Sequence, residues 1–218
     1  MSGSWPGALL LFRRGADGRL AAPRPVVNEI PPGDADPKSK EYGYSLLQAA
    51  AVAAGDWEGD GDTDLVVGTI FGRAYLLRDE SPRGRGPGAD PAFGKPELLL
   101  DAYNRPDGFM KAGPALADAD GDGDLDLLLG SELDRVFLAR NVGSRTEPRL
   151  APIEPIEIPG DALRDAYRLK LDVVDWNEDG ASDLLVGGCV AEKSESGEYG
   201  PVHGFVWIAL GRAPAAAK

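Results

Sequence analysis

The 218-residue chain has one cysteine, Cys189, and one histidine, His203. A lone cysteine excludes an internal disulfide framework and any Cys-rich zinc site. A lone histidine excludes centres built from several imidazoles and leaves at most one Ser–His–Asp arrangement to consider. Positive charge is scarce: 23 Lys+Arg stand against 36 Asp+Glu, a formal net charge of −13. That balance argues against a nucleic-acid partner and against anionic membrane surfaces. No apolar run reaches the ~18–20 residues needed to span a bilayer. Residues 1–14 hold one short apolar stretch, 8–12, with arginines after it and none before it, which is not the pattern of a secretory signal.

What the chain does have is glycine, proline and repetition. With 29 Gly, 18 Pro and 43% hydrophobic residues it reads as many short strands joined by tight turns, not as a disordered tail. Three segments superimpose without gaps: Asp56-Trp-Glu-Gly-Asp-Gly-Asp-Thr-Asp64-Leu-Val-Val-Gly68, Asp118-Ala-Asp-Gly-Asp-Gly-Asp-Leu-Asp126-Leu-Leu-Leu-Gly130, and Asp175-Trp-Asn-Glu-Asp-Gly-Ala-Ser-Asp183-Leu-Leu-Val-Gly187. Their starts lie 62 and 57 residues apart, too long a period for WD40 or kelch repeats.

The flanks repeat as well. Before each loop is a small or apolar run (48–54, 112–117, 169–174), and after it an apolar run ending in Gly68, Gly130 or Gly187. A second run follows at 73–77, 135–139 and 204–209, then a Pro-bounded third at 95–100 and 151–156. Runs of four to eight residues bounded by Gly, Asp and Pro predict strands, although 46–54 is helix-compatible by propensity. Each unit is thus expected to carry strands A–loop–B, C and D within a single domain, 1–218. The predicted pieces are a half blade of C and D strands at 7–30, blades at 46–100 and 110–158, and a blade at 167–210 without a D strand.

The loops place oxygen donors at positions 1, 3, 5 and 9: Asp56, Glu58, Asp60, Asp64; Asp118, Asp120, Asp122, Asp126; Asp175, Asn177, Asp179, Asp183. Position 7 (Asp62, Asp124, Ala181) varies, as it can if it offers only its carbonyl, and glycine at position 6 permits a sharp turn. An all-oxygen set suits Ca²⁺; Mg²⁺ prefers fewer carboxylates and more water, and zinc wants His or Cys. An EF-hand would need Glu at position 12, where this chain has Val67, Leu129 and Val186. A single Asp-Gly loop could equally be a solvated turn. Three in register, concentrating 14 of the 36 acids, are costly without a counter-ion. Three Ca²⁺ would bring the formal charge from −13 to −7.

The pattern Asp-x-[Asp/Asn/Glu]-x-Asp-Gly-x-x-Asp-Leu-[Leu/Val]-[Val/Leu]-Gly, recurring near every sixty residues, resembles the FG-GAP/VCBS repeat of integrin α-like β-propellers. The resemblance covers roughly residues 7–210. It implies an all-β, partial β-propeller of about three four-stranded antiparallel blades per chain, each holding Ca²⁺ in its A–B turn. Such propellers usually close with about seven blades, so an arc of this size is expected to form a homo-oligomer, a dimer closing the ring, or to be part of a longer chain.

Three function classes follow. The first is a binding or adhesion module meeting glycan or protein through long loops (31–44, 79–93, 101–111, 192–203). Tyr42, Tyr44, Tyr103, Phe109 and Tyr199 would be available there to stack on sugars, or equally to pack between blades. The second is a structural ring-forming subunit with no ligand beyond calcium. The third is an enzyme resembling polysaccharide lyases or dehydratases. Its available groups are His203, Tyr199, Lys111 and Arg164, with Asp161 and Asp165 as a carboxylate pair, and no spacing links them. Cys189 is expected to fill a small buried position, and Trp57 and Trp176 to be packing anchors. Arg83 and Arg85 read as solvated turn residues. Calcium sites of modest affinity suit an extracellular or periplasmic location.

Overall fold

The structure, a computed structural model, describes residues 2–3, 9–26, 51–82, 89–102, 112–158, 160–194 and 197–211. Among these the chain forms strands and no helix. The strands are β1 (Ser2–Gly3), β2 (Leu9–Leu11), β3 (Arg24–Pro25), β4 (Ala51–Gly55), β5 (Asp64–Gly68), β6 (Arg73–Leu77), β7 (Glu97–Asp101), β8 (Gly113–Ala117), β9 (Asp126–Gly130), β10 (Val136–Ala139), β11 (Glu154–Ile156), β12 (Ala166–Val174), β13 (Asp183–Lys193) and β14 (Tyr199–Ala209). They pair antiparallel into four sheets: β1-β2-β3, β4-β5-β6-β7, β8-β9-β10-β11 and β12-β13-β14. This is the expected all-β, partial-propeller architecture, with two complete four-stranded blades between two three-stranded sheets. Among the described residues no helix is long and apolar enough to cross a membrane.

The sheets stack face to face in chain order, with β8 lying between β4 and β12. That stacking explains why β5 and β9 are continuous apolar runs: both faces are covered, and both strands are buried along their whole length. Side chains alternate between the two neighbours. Leu65 and Val67 of β5 meet Leu9 of the first sheet, while Val66 shares a core with Leu127, Leu129 and Phe137 of the next blade. Leu128 and Leu138 turn the other way, onto Leu171, Val173 and Leu184 of the third blade. Each fully buried leucine or valine contributes about 1.5–3 kcal/mol, so blade-on-blade contact is a main source of stability.

Main-chain bonds reinforce the stacking. Just beyond β5, the Thr69 carbonyl accepts the Ala112 N–H (3.0 Å); beyond β9, the Ser131 carbonyl accepts the Leu169 N–H (2.8 Å). The next blade's first strand comes so close that a Cβ on Gly68 would lie 2.2 Å from the Ala112 oxygen, and one on Gly130 2.4 Å from that of Leu169. At the N-terminal end, Asp90 spans Arg13 (2.6 Å) and Arg24 (2.8 Å), tying the first sheet to the segment before β7. The Arg13 hydrogen bond, aided by Arg24, holds the Asp90 carboxyl below its ordinary range.

Three local expectations are corrected. His203 is not in a loop: β13 runs to Lys193 and β14 begins at Tyr199, so the segment 192–203 is mostly an extended hairpin closed by Ser194 N–H to Glu198 O (3.0 Å). Trp57 is an anchor at 2% exposure, but Trp176 is 60% exposed, because no described blade lies over it. Cys189 is only partly buried. The stretch 51–55 is strand where helix was compatible; Tyr42, Tyr44, Arg83, Arg85, Tyr103, Phe109 and Lys111 lie outside the described residues.

Candidate metal centre

Each Asp loop is the turn between a blade's first and second strands, and all three fold by the same hydrogen bonds. The position-1 carboxylate accepts the amide of the position-6 glycine: Asp56 from Gly61 (3.3 Å), Asp118 from Gly123 (2.9 Å), Asp175 from Gly180 (2.9 Å). The position-5 carboxylate accepts the amide at position 7: Asp60 from Asp62 (3.0 Å), Asp122 from Asp124 (2.9 Å), Asp179 from Ala181 (2.8 Å). Such Asx turns bend the chain around a point and aim its oxygens inward. Glycine at position 6 has φ of 92°, 91° and 85° in the three loops. Position 4 is left-handed too: Gly59 (67°), Gly121 (82°) and, in the third loop, Glu178 (59°).

Position 9 does something the sequence did not disclose. Asp64, Asp126 and Asp183 are buried, and each accepts two backbone amides from opposite sides of the blade. One comes from loop position 2: Trp57 (3.0 Å), Ala119 (2.9 Å) and Trp176 (2.9 Å). The other comes from just beyond the third strand: Asp79 (2.9 Å), Asn141 (2.7 Å) and Gly211 (2.8 Å). The carboxylate thus fastens the loop to the far end of the sheet while each oxygen keeps a lone pair. Burial raises the Asp64 and Asp126 carboxyls above their ordinary range against the lowering effect of those amides; Asp60, and Asp120 with Asp122, push the same way.

Arginines answer part of the charge. The residue after the third strand is Arg78 in the first complete blade and Arg140 in the second. Arg78 pairs with Glu58 and, at 3.4 Å, with Glu97; Arg140 reaches Asp120 (3.8 Å) and Glu154 (3.2 Å). Both therefore join loop position 3 to the fourth strand. The third sheet has no described fourth strand, and Leu210 replaces the arginine. Burial and the Asp64 charge raise the Glu58 carboxyl, offset by Arg78. Arg145 crosses between blades, bonding Asp56 Oδ2 (3.1 Å) of the first loop and the Gly123 carbonyl (3.2 Å) of the second.

The donor set fits a hard cation best in the second loop, where one carboxylate oxygen from each of Asp118, Asp120 and Asp126 lies within 4.8 Å of the others. A Ca²⁺ ion about 2.3–2.6 Å from each oxygen spans such a group. In the first loop Glu58 and Asp56 are turned toward arginines. In the third, Asn177 donates its side-chain amide to Asp179 (2.9 Å).

Among the described residues, the groups considered for catalysis do not converge. Asp161 pairs with Arg164 (2.8 Å), Asp165 with Lys193 (3.4 Å) and His203 Nε2 with Glu192 (2.7 Å), all at exposed positions. Asp161 lines a cleft of about 570 Å³ with Asp134, Arg135 and Glu157. Asp165 lines an adjoining one, about 320 Å³, with Tyr167 and Tyr199, and Asp134 borders both. Two carboxylates acting on one glycosidic bond must face the same cleft.

Repeated acid loops entering the second strands of stacked antiparallel blades define a β-propeller repeat protein. Residues 118–186, from the second loop into the third blade, match the model of the FG-GAP-like repeat, in line with the resemblance to the FG-GAP/VCBS repeat. A comparison with curated proteins found no match.

Proposed function

We propose that the chain is a calcium-stabilised β-propeller binding module of an extracellular or periplasmic setting, whose copies assemble and whose blade-connecting loops meet a glycan or protein ligand. The observation that carries the calcium reading is the threefold recurrence of one loop conformation, with Asp118, Asp120 and Asp126 gathered in one of its copies. Asp56, Glu58, Asp60 and Asp64, and Asp175, Asn177, Asp179 and Asp183, would hold the ion in the other two loops, with carbonyl donation at Asp62, Asp124 and Ala181. Bound calcium supplies the positive charge that concentrated carboxylates lack. The chain's own part is to hold those oxygens in Asx turns and to fasten each loop through its buried position-9 carboxylate.

A structural ring-forming role with no ligand beyond calcium is the second reading; the exposed apolar face of the β12-β13-β14 sheet favours it. Calorimetric titration of the chelator-stripped chain with CaCl₂, and separately with MgCl₂, tests the calcium reading. Calcium-selective binding is expected, with a rise in melting temperature that corresponds to about 2.7 kcal/mol per site at a hundredfold excess over Kd. No heat and no shift would reject it. Glycan-array binding of the loaded chain distinguishes the module from the bare ring.

A further inference from the structure

The last sheet ends on a face built to be covered. Register pairs Val66 with Leu76, Leu128 with Leu138, and Leu185 with Ile208, which makes Leu76, Leu138 and Ile208 equivalent, and likewise Ala74, Val136 and Val206 two residues earlier. In the two complete blades these positions are 0–7% exposed, because the following blade lies on them; Ile208 is 40% and Val206 69% exposed. Val202 continues the same apolar row on β14 at 57%.

The glycine after the second strand gives an independent sign. Gly68 and Gly130 leave room for the next blade's first strand, whose carbonyls would touch any added Cβ. Gly187 holds the same place, yet its nearest neighbour is a main-chain oxygen of its own sheet, 3.9 Å away. The third blade therefore keeps the clearance for a following strand while no described strand uses it.

At the other end of the row, the β1-β2-β3 sheet covers the first complete blade through Leu9, with β1 beside β4 as β4 lies beside β8. Leu10, alternating with Leu9, is directed to the opposite face.

We infer that the outer face of the β12-β13-β14 sheet receives the N-terminal sheet of a second copy, the partner's inner strand running over Gly187. The contact repeats the blade-on-blade interface already present within the chain. It is heterologous, and two copies contribute four sheets each, so reciprocal contacts close a ring of eight sheets about a twofold axis. The inference deepens the assembly part of the proposed function and is independent of whether calcium binds.

The test is sedimentation velocity and light scattering on the full chain, with Cys189 as reporter. It alternates in register with Gly187 on the same outer face, and it is the chain's one thiol. The wild-type chain is expected at twice the monomer mass with its thiol reacting slowly. Val206→Asp and Gly187→Ile should give monomers of unchanged circular dichroism whose thiol reacts at least tenfold faster. Leu10→Asp should also dissociate the pair; a Leu10→Asp chain that folds and stays paired would point to β14-to-β14 contact and overturn the inference. A wild-type chain that is monomeric at every concentration, or a Val206→Asp chain that remains dimeric, overturns it as well. Calcium titration of the same samples separates the two ideas. A chain that binds calcium but stays single rejects only the assembly, and one that pairs in excess chelator supports the assembly without the metal.

Discussion

Asp126 Oδ1 accepts the backbone N–H of Asn141 at 2.7 Å, across a separation of 15 residues, while Oδ2 accepts that of Ala119. The ninth residue of the acid loop is therefore the fastening between a blade's first turn and its third strand, whatever it also offers to a cation. Removing a buried acceptor leaves its donors unsatisfied, each at about 1–3 kcal/mol. Asp126→Ala is expected to cost about 2–4 kcal/mol in urea unfolding performed in excess chelator. A loss confined to calcium-containing buffer would mean that the carboxylate serves the metal alone.

Glycine at the end of the second strand should be needed by the chain itself in two blades, and in the third only for pairing with a second copy. Gly68→Ala and Gly130→Ala drive a Cβ into main-chain oxygens at 2.2 and 2.4 Å, so the blades must part, at about 1–3 kcal/mol or more. Gly187→Ala meets nothing within the chain closer than 3.9 Å and should leave the monomer's unfolding within about 0.5 kcal/mol of wild type. Equal destabilisation of the monomeric chain by all three would refute the packing argument.

Glu178 occupies the left-handed position that Gly59 and Gly121 fill in the other loops. Glu178→Gly relieves a conformation costing an L-residue about 1–2 kcal/mol, less the entropy glycine gains when unfolded. A net stabilisation of about 0.5–1 kcal/mol is expected, read as a higher denaturation midpoint at unchanged slope. A lower midpoint would show that the side chain has a role the backbone does not reveal.

Acidity should act oppositely on the loaded and stripped forms. Asp64 and Asp126 bind protons more tightly folded than unfolded, so between the ordinary carboxyl value and their raised one the native state holds more protons. Their contribution to stability consequently falls as pH rises through that window, and stays low above it. On the calcium reading the ion is held by the ionised carboxylates, so acidification is expected to expel it. The difference in melting temperature between calcium and chelator samples should narrow steadily from pH 7 downward. A difference that is constant or widens would contradict the assignment of these acids to the site.

Much of this was legible in the residues. The loop positions, the apolar runs entering Gly68, Gly130 and Gly187, and the Pro-bounded fourth strands appear in the chain as read, because close-packed stacked sheets impose strict local patterns. The fastening role of Asp64, Asp126 and Asp183 was not, since their amide donors Asp79, Asn141 and Gly211 are distant and carry no side-chain signature. Arg78 and Arg140 were open to recognition, each one residue beyond a third strand and facing an acid on the fourth, but that link needs the register. Trp57 and Trp176 look alike in sequence and differ in exposure because, among the described residues, only one has a following blade. His203 read as a loop residue because Gly200, Pro201 and Gly204 surround it, while pairing with β13 overrides that local signal.

Arg145 has one guanidinium and two neighbours to serve, Asp56 of one loop and the Gly123 carbonyl of the next. A divalent ion placed in the first loop would compete with it for Asp56, one in the second would repel its guanidinium, and the hold given up on one side would alter the charge felt on the other. On the calcium reading, occupancy at the first two loops is thermodynamically linked, and by reciprocity each ion would shift the other's affinity by the same factor. If both loops bind an ion, their titration is expected to depart from independent sites, and Arg145→Ala to restore simple additivity.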